Sequence, residues 1–311
     1  MNMNGDGANE PERLVALTFD LDLVDYMTGE PSLADLDATS AIADLLDGRG
    51  WSATWFLRLD EATGVVFGDP SFMFEQHGRL VDRLRERGDE IAWHPHPTRR
   101  HDGRWTPEVE IPSILAEIAV YAPLARRRSL QAVRMGHGFH TNETMRAVAS
   151  AGFAIDSSAI PRPMYAWDDP PKDWTGTPLM PYRPAVADYR VPGEPSLAIA
   201  EIPISVAHVP SSTDTQHVMR YVNPAYRHEA LTPALQSWFG VHDLLVTITH
   251  PCELLQHRLG HPLITGRLDE FARNLDAIEC HAAGSGTAPA FVTVSEFAER
   301  TIGPASVGQA R

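Results

Sequence analysis

Leu14-Val15-Ala16-Leu17-Thr18-Phe19-Asp20-Leu21-Asp22 decides the fold, because an apolar run of strand length ends in two carboxylates. Residues two apart in extended chain face the same side, so Asp20 and Asp22 project together. Two carboxylates held this way repel unless a cation or a proton lies between them. In isolation the pair also reads as a loop-capping Asp beside a solvated one, so the rest of the chain has to decide.

Working outward, the same pattern recurs. The spans 52–59, 89–96, 132–137, 153–158, 199–205, 243–250 and 290–294 read as further strands, several of them near-continuous apolar runs suited to a parallel sheet buried on both faces. Helical stretches are predicted over 33–48, 74–87, 142–151 and 266–282, stopped by glycines in the first three cases. Strand–helix alternation implies right-handed βαβ units. The fold class predicted is α/β, a distorted (β/α) barrel, in one domain over 13–302. Tails at 1–12 and 303–311 flank it. The Pro-rich segment 160–198, without periodicity, reads as a loop-rich insertion near the site.

Ionisable residues fall at the C-terminal ends of these strands: Asp20 and Asp22, His94 and His96, Arg134 and His137, Asp156, and His250. In a barrel of parallel strands those ends converge on one face, and that face carries the chemistry. In Trp93-His94-Pro95-His96-Pro97 each histidine precedes a proline, which holds it in extended backbone. His101 competes with His96 for the role of second ligand. Two neutral imidazoles and one carboxylate with open positions suit a divalent metal, Zn²⁺ first and also Fe²⁺, Co²⁺ or Ni²⁺. His250 ends an apolar strand. A lone histidine there is commonly structural, but this one shares the proposed face.

Composition narrows the partners. A net charge of −15 argues against nucleic acid and anionic membranes and leaves a small substrate open. Lys172 is the single lysine among 26 basic residues, which reads as genome composition without functional content. Two cysteines, Cys252 and Cys280, make no disulfide framework, and the polar N-terminus MNMNGDGANEPER lacks an apolar signal core, so a cytoplasmic protein is expected.

At these residues the chain resembles the polysaccharide deacetylase family, the carbohydrate esterases with the NodB homology fold, over about residues 14 to 297. Thr18-Phe19-Asp20 matches the start of the family's Thr-Phe-Asp-Asp-Gly motif. Ala53-Thr54-Trp55-Phe56 resembles its Ala-Thr-Phe-Phe strand, and Gly88-Asp89-Glu90-Ile91-Ala92-Trp93-His94 its Gly-His-Glu-Ile-Gly-x-His lead-in. Arg134-Met135-Gly136, Asp173-Trp174 with Asp169 upstream, and His250 resemble the third, fourth and fifth motifs in order. The resemblance implies a barrel of about seven repeats and a divalent metal held by Asp-His-His. It implies Asp20 as base, Arg134 as its partner, His250 as acid and His94 as a ligand. Two positions depart: Leu21 stands where the family has its ligand aspartate, and Thr98 where it has its second histidine. Asp22 and His96 are the nearest substitutes, so the metal ligands expected are Asp22, His94 and His96. Substrate contacts are expected from Trp93, Tyr165, Trp167, Asp173, Trp174 and Tyr182.

The function expected is metal-dependent removal of an acetyl or formyl group from the nitrogen of an N-acylated sugar or sugar-containing small molecule. Hydrolysis of another C–N bond, in a cyclic imide or ureide, is the first alternative, and a metal-free carbohydrate-binding protein with a decayed site the second.

Overall fold

The computed structural model describes residues 12–24, 31–101, 104–168, 170–255, 260–284 and 287–303. Most of both predicted tails, together with Asp169, lies outside the described residues. In chain order the elements begin with β1 (Leu14–Ala16), β2 (Thr18–Leu21), α1 (Ala34–Asp47), β3 (Thr54–Leu57), α2 (Glu61–Phe67), α3 (Phe72–Gln76), α4 (Gly78–Glu86) and β4 (Glu90–Trp93). The middle of the chain supplies β5 (Thr98–His101), β6 (Arg104–Pro107), α5 (Ile111–Arg127), β7 (Ala132–Val133), α6 (Asn142–Ser150), β8 (Ile155–Asp156) and β9 (Ala200–Glu201). The remainder holds β10 (Val206–His208), β11 (Met219–Tyr221), α7 (His228–Phe239), β12 (Leu244–Val246), α8 (Leu268–Ala283), β13 (Ala290–Phe291) and α9 (Val294–Ile302).

The strands form an α/β architecture of parallel sheets, ordered β2-β3-β4-β7-β8-β9 and β12-β1-β13. One chain run, 14–21, belongs to both sheets and divides at Leu17. At the far edge, the Ser205 amide donates to the Val246 carbonyl, linking the segment after β9 to β12. An inner apolar cluster takes Ala16, Phe56, Ala92, Ala132, Ile155, Ala200 and Val246 from seven different strands, and Phe297 of α9 packs into it. The strands therefore curve around one interior. The larger core lies outside them, under the helices, where Leu21, Trp55, Trp93, Ile114 and Phe271 are all buried.

Two helices arise against proline. Pro112 sits in the first turn of α5, where the missing N–H costs nothing, while Pro123 of α5 and Pro233 of α7 fall inside their helices. The predicted helix over 74–87 is broken at His77 into α3 and α4. Segment 160–198 holds no named helix or strand among its described residues and is pinned by isolated bridges such as Tyr182 to Glu201. No helix among the described residues is long and apolar enough to cross a membrane.

Candidate metal centre and active site

Register builds the site. Leu21, Leu57, Trp93 and Val133 lie level across β2, β3, β4 and β7. The residue that follows each is polar: Asp22, Arg58, His94 and Arg134. A parallel sheet with strand ends in line thus sets four charged or ligating groups in one row, with Asp20 one step below. Leu21, between the two carboxylates, turns outward into the core and is fully buried there. On the other side, the Asp20 amide donates to the Thr249 carbonyl at 3.0 Å, which brings His250 alongside.

Asp22 Oδ1 lies 3.6 Å from His94 Nε2 and 3.6 Å from His96 Nε2. The three ligand atoms all fall within 4.8 Å of one another. Asp22 Oδ1 and His94 Nε2 are buried with no hydrogen-bond partner among the described residues, an arrangement that is costly unless something else satisfies them. A separation of 3.6 Å is too long for a hydrogen bond and close to the edge of a tetrahedron whose ligand bonds are ~2.0–2.2 Å. His94 Nδ1–H donates to the Arg134 carbonyl at 2.7 Å, which fixes the tautomer and aims the Nε2 lone pair at the cluster. The residues fit a divalent ion.

The supports behind His96 are backbone-deep. Its amide donates to Asp60 Oδ2 at 3.2 Å. Asp60 also pairs with Arg58 at 2.7 Å and caps α2 through Thr63, all with fully buried side chains. The His96 ring lies against Gly136 so closely that a Cβ there would stand 2.4 Å from the ring. Burial alone would raise the Asp22 pKa, but His96, His94, Arg58 and His250 outweigh it and hold the carboxyl below its ordinary range. Burial lowers the His96 pKa, keeping the ring neutral, as a ligand must be.

Asp20 is divided between two tasks. Its Oδ1 accepts from Arg134 Nη1 at 2.7 Å, while Oδ2 faces the cluster, 3.7 Å from His94 Nε2 and 4.0 Å from His250 Nε2. Arg134, 2% exposed, is locked by Thr18 Oγ1, Ser157 O and Ser157 Oγ, with its guanidinium 4.1 Å above the Phe56 ring. His250 is the more open residue of the group. Burial would lower its pKa, but Glu253, with Oε1 3.7 Å from Nδ1, and then Asp20 and Asp22, raise it to about 9. Asp20, Asp22, His94, His96, Arg134 and His250 line one cavity of about 270 Å³.

The substrate contacts expected from sequence separate into two groups. Trp93 is a correction: it is fully buried, stacked on Phe153 with its indole N–H donating to the Leu59 carbonyl, and so belongs to the core. Trp174 is also buried, holding the Gly138 carbonyl, and Tyr182 is bound to the Tyr189 carbonyl. Asp173 pairs with Arg190 rather than lining the cavity. Tyr165 and Trp167 do line a hollow, one that adjoins the metal-type cavity. His101 lies on the exposed part of β5. Thr98 lines a separate cavity beside Glu117 of α5.

Sequence reasoning sets His137 on the reactive face but gives it no role. It lines the main cavity, with its ring 4.6 Å from that of His96 and a left-handed backbone, φ 59°. The glycines on either side of it were the available signal. Asp60, Glu253 and Lys172 were also missed. Asp60 stands one residue past the predicted strand 52–59, Glu253 stands three past His250, and Lys172 reads from sequence as composition alone.

No family model matches the chain, and no curated protein matches it. Among solved structures, it is similar to a "putative polysaccharide deacetylase" from Mycobacterium smegmatis, with 16% identity over 97% of this chain and 96% of that one and a TM-score of 0.55. Lower similarity, at a TM-score of 0.44, links it to the Xyl-CE4 domain of a multidomain xylanase from the hindgut metagenome of Trinervitermes trinervoides (15% identity, 96% and 95% covered). The same score is found for a family 4 acetyl xylan esterase from Clostridium thermocellum in complex with a cobalt ion (14%, 96% and 97%). The chain thus shares its fold, end to end, with the Mycobacterium smegmatis structure.

Proposed function

We propose that this protein is a metal-dependent amidohydrolase that removes an acetyl or formyl group from the nitrogen of an N-acylated sugar. The observation that carries the reading is the convergence, in one cavity, of an Asp22–His94–His96 triad, with both histidines buried, with an Arg134-held Asp20 and with His250. Asp22, His94 and His96 would hold the ion. When bound, a divalent ion there supplies Lewis acidity toward an acyl carbonyl.

The chain's own groups do the rest. Arg134 fixes Asp20 through one oxygen and leaves the other facing the cavity, so Asp20 takes the proton of the attacking water. His250, kept protonated by Glu253, gives a proton to the departing nitrogen, because an unprotonated amine leaves poorly. The C–N bond breaks, water's oxygen stays with the acyl carbon, and a carboxylate and an amine result. A guanidinium holds Asp20 in place, and a carboxylate keeps His250 acidic.

The test is a substrate panel run with Zn²⁺, Fe²⁺, Co²⁺ or Ni²⁺ and with chelator. N-acetyl and N-formyl hexosamines should release acetate or formate only with metal. Turnover of cyclic imides or ureides instead would move the reading to another C–N bond. Absence of bound metal in the purified protein, with no turnover after loading, would refute it.

A further inference from the structure

Three strand ends carry the same short pattern, two polar residues around a single leucine or proline: Asp20-Leu21-Asp22, Arg58-Leu59-Asp60 and His94-Pro95-His96. The proposed chemistry uses the first and the third. The second lies between them, because β3 sits between β2 and β4 in the sheet, and no step of the reaction calls on it. Arg58 and Asp60 are both 0% exposed. A guanidinium and a carboxylate taken so far from water lose hydration that their attraction does not fully offset, and well-packed apolar residues in their place commonly leave a fold as stable or more so. Stability alone therefore does not account for the pair.

Its contacts do. Asp60 uses both oxygens. Oδ1 accepts from the Thr63 amide and hydroxyl, each at 2.8 Å, and so caps α2; Oδ2 accepts from Arg58 Nε at 2.7 Å and from the His96 amide at 3.2 Å. His96 stands between β4 and β5, outside any strand ladder, so the Asp60 carboxylate is what receives its amide. Arg58 stands level with Asp22 and His94 in the row of strand ends. Its charge acts on Asp60 first, then on Asp22, and also on Glu117 of α5. The two aspartates of the site differ accordingly. Asp20 gives one oxygen to Arg134 at 2.7 Å, whereas Asp22 feels Arg58 through space and its Oδ1 has no hydrogen bond among the described residues. A guanidinium bonded directly to that oxygen would have filled the place that faces His94 and His96.

We infer that Arg58 and Asp60 are positioning residues that act as one unit on the metal centre: Arg58 balances the charge of Asp22 without taking its ligand oxygen, and Asp60 sets the backbone of His96. Asp22 and His96 are the two expected ligands whose spacing departs from the family pattern. His94, which keeps that pattern, is oriented by the Arg134 carbonyl instead. The inference rests on Asp22, His94 and His96 holding a divalent ion, and on no property of the substrate.

The experiment titrates chelator-stripped protein with Co²⁺ and Zn²⁺ against a competing chelator of known affinity. It also records the visible absorption of the Co²⁺ form, which reports the ligands and their geometry. Wild type is compared with Arg58→Lys, Arg58→Gln and the double variant Arg58→Met/Asp60→Asn. The double variant removes both charges together and keeps a capping side chain on α2, so its denaturation midpoint without metal should stay near that of wild type. Its metal affinity should fall ~10–100-fold, and its Co²⁺ band should change shape. Arg58→Gln, which can still donate to Asp60 but carries no charge, should bind metal ~10-fold more weakly, and Arg58→Lys should recover most of that loss. Wild-type affinity and an unchanged Co²⁺ spectrum in the folded double variant, or in Arg58→Gln should the double variant not fold, would overturn the inference. So would an Arg58→Lys that binds no better than Arg58→Gln. No turnover enters these titrations. Wild type that takes up no metal would sink the metal reading itself, whereas wild type that binds metal without deacylating any substrate would sink the hydrolase reading and leave the role of the pair intact.

Discussion

Replacing Glu253 by Gln should move the alkaline limb of the pH–rate profile downward. Glu253 Oε1 lies 3.7 Å from His250 Nδ1. At that distance two unit charges attract by about 1 kcal/mol in the dielectric of bulk water and about 4.5 kcal/mol at an effective dielectric of 20. At 1.36 kcal/mol per pKa unit, removing the charge costs His250 roughly 1 to 3 units from its raised value of about 9. The sign follows from the proposed role. With His250 as the protonated acid, activity should be lost as pH rises through its pKa, and a lower pKa should pull that loss to lower pH. The pair also stabilises the fold below the ordinary histidine value of 6.5, and that contribution fades as pH rises through about 9. The assay is an NMR titration of the His250 ring, assigned by its disappearance in His250→Gln, alongside the rate profile. Zinc loading should itself lower the His250 pKa relative to chelator-treated protein, because Asp22 then faces a cation. A wild-type His250 that titrates near 6.5 without metal, or one that Glu253→Gln leaves unmoved, would refute the reasoning.

Gly136→Ala drives a Cβ into the His96 ring and should weaken metal affinity by ~10–100-fold, the range seen when a ligand's support is disturbed; chelator competition measures it. Asp20→Asn should keep its metal, measured by elemental analysis, and lose turnover by ~10²–10⁴-fold; loss of the metal instead would make Asp20 a ligand. Arg134→Met leaves Asp20 buried without its cation, which should cost ~3–5 kcal/mol in chemical denaturation. His96→Ala should empty the site while His101→Ala, on exposed β5, leaves it filled.

Much of this was legible because strands buried on both faces write themselves as apolar runs, and a polar residue closing such a run has few reasons to be there. Asp20, His94, Arg134 and His250 were found on that signal, and Asp22 followed from the period of two. What escaped reading was whatever depends on distant packing. Trp93 shares its local sequence with two ligand candidates, yet alternation turns it outward onto Phe153. Helix α5 was hidden by Pro112 and Pro123, although the first sits where a helix accepts proline. Lys172 carries no local pattern at all. Its meaning lies in the two cavity walls it joins, which only the folded chain brings together.

The alignment of Leu21, Leu57, Trp93 and Val133 across four strands limits how such a protein can diverge. Gaining or losing one residue within β2 or β4 would send Asp22 or His94 to the opposite face and bring a leucine or a tryptophan inward. Beyond the strand ends no such bookkeeping applies. Insertions there can reshape the walls of the cavity while Asp22 and His94 stay where they are. Inheritance can therefore vary the appetite of this fold far more freely than its chemistry.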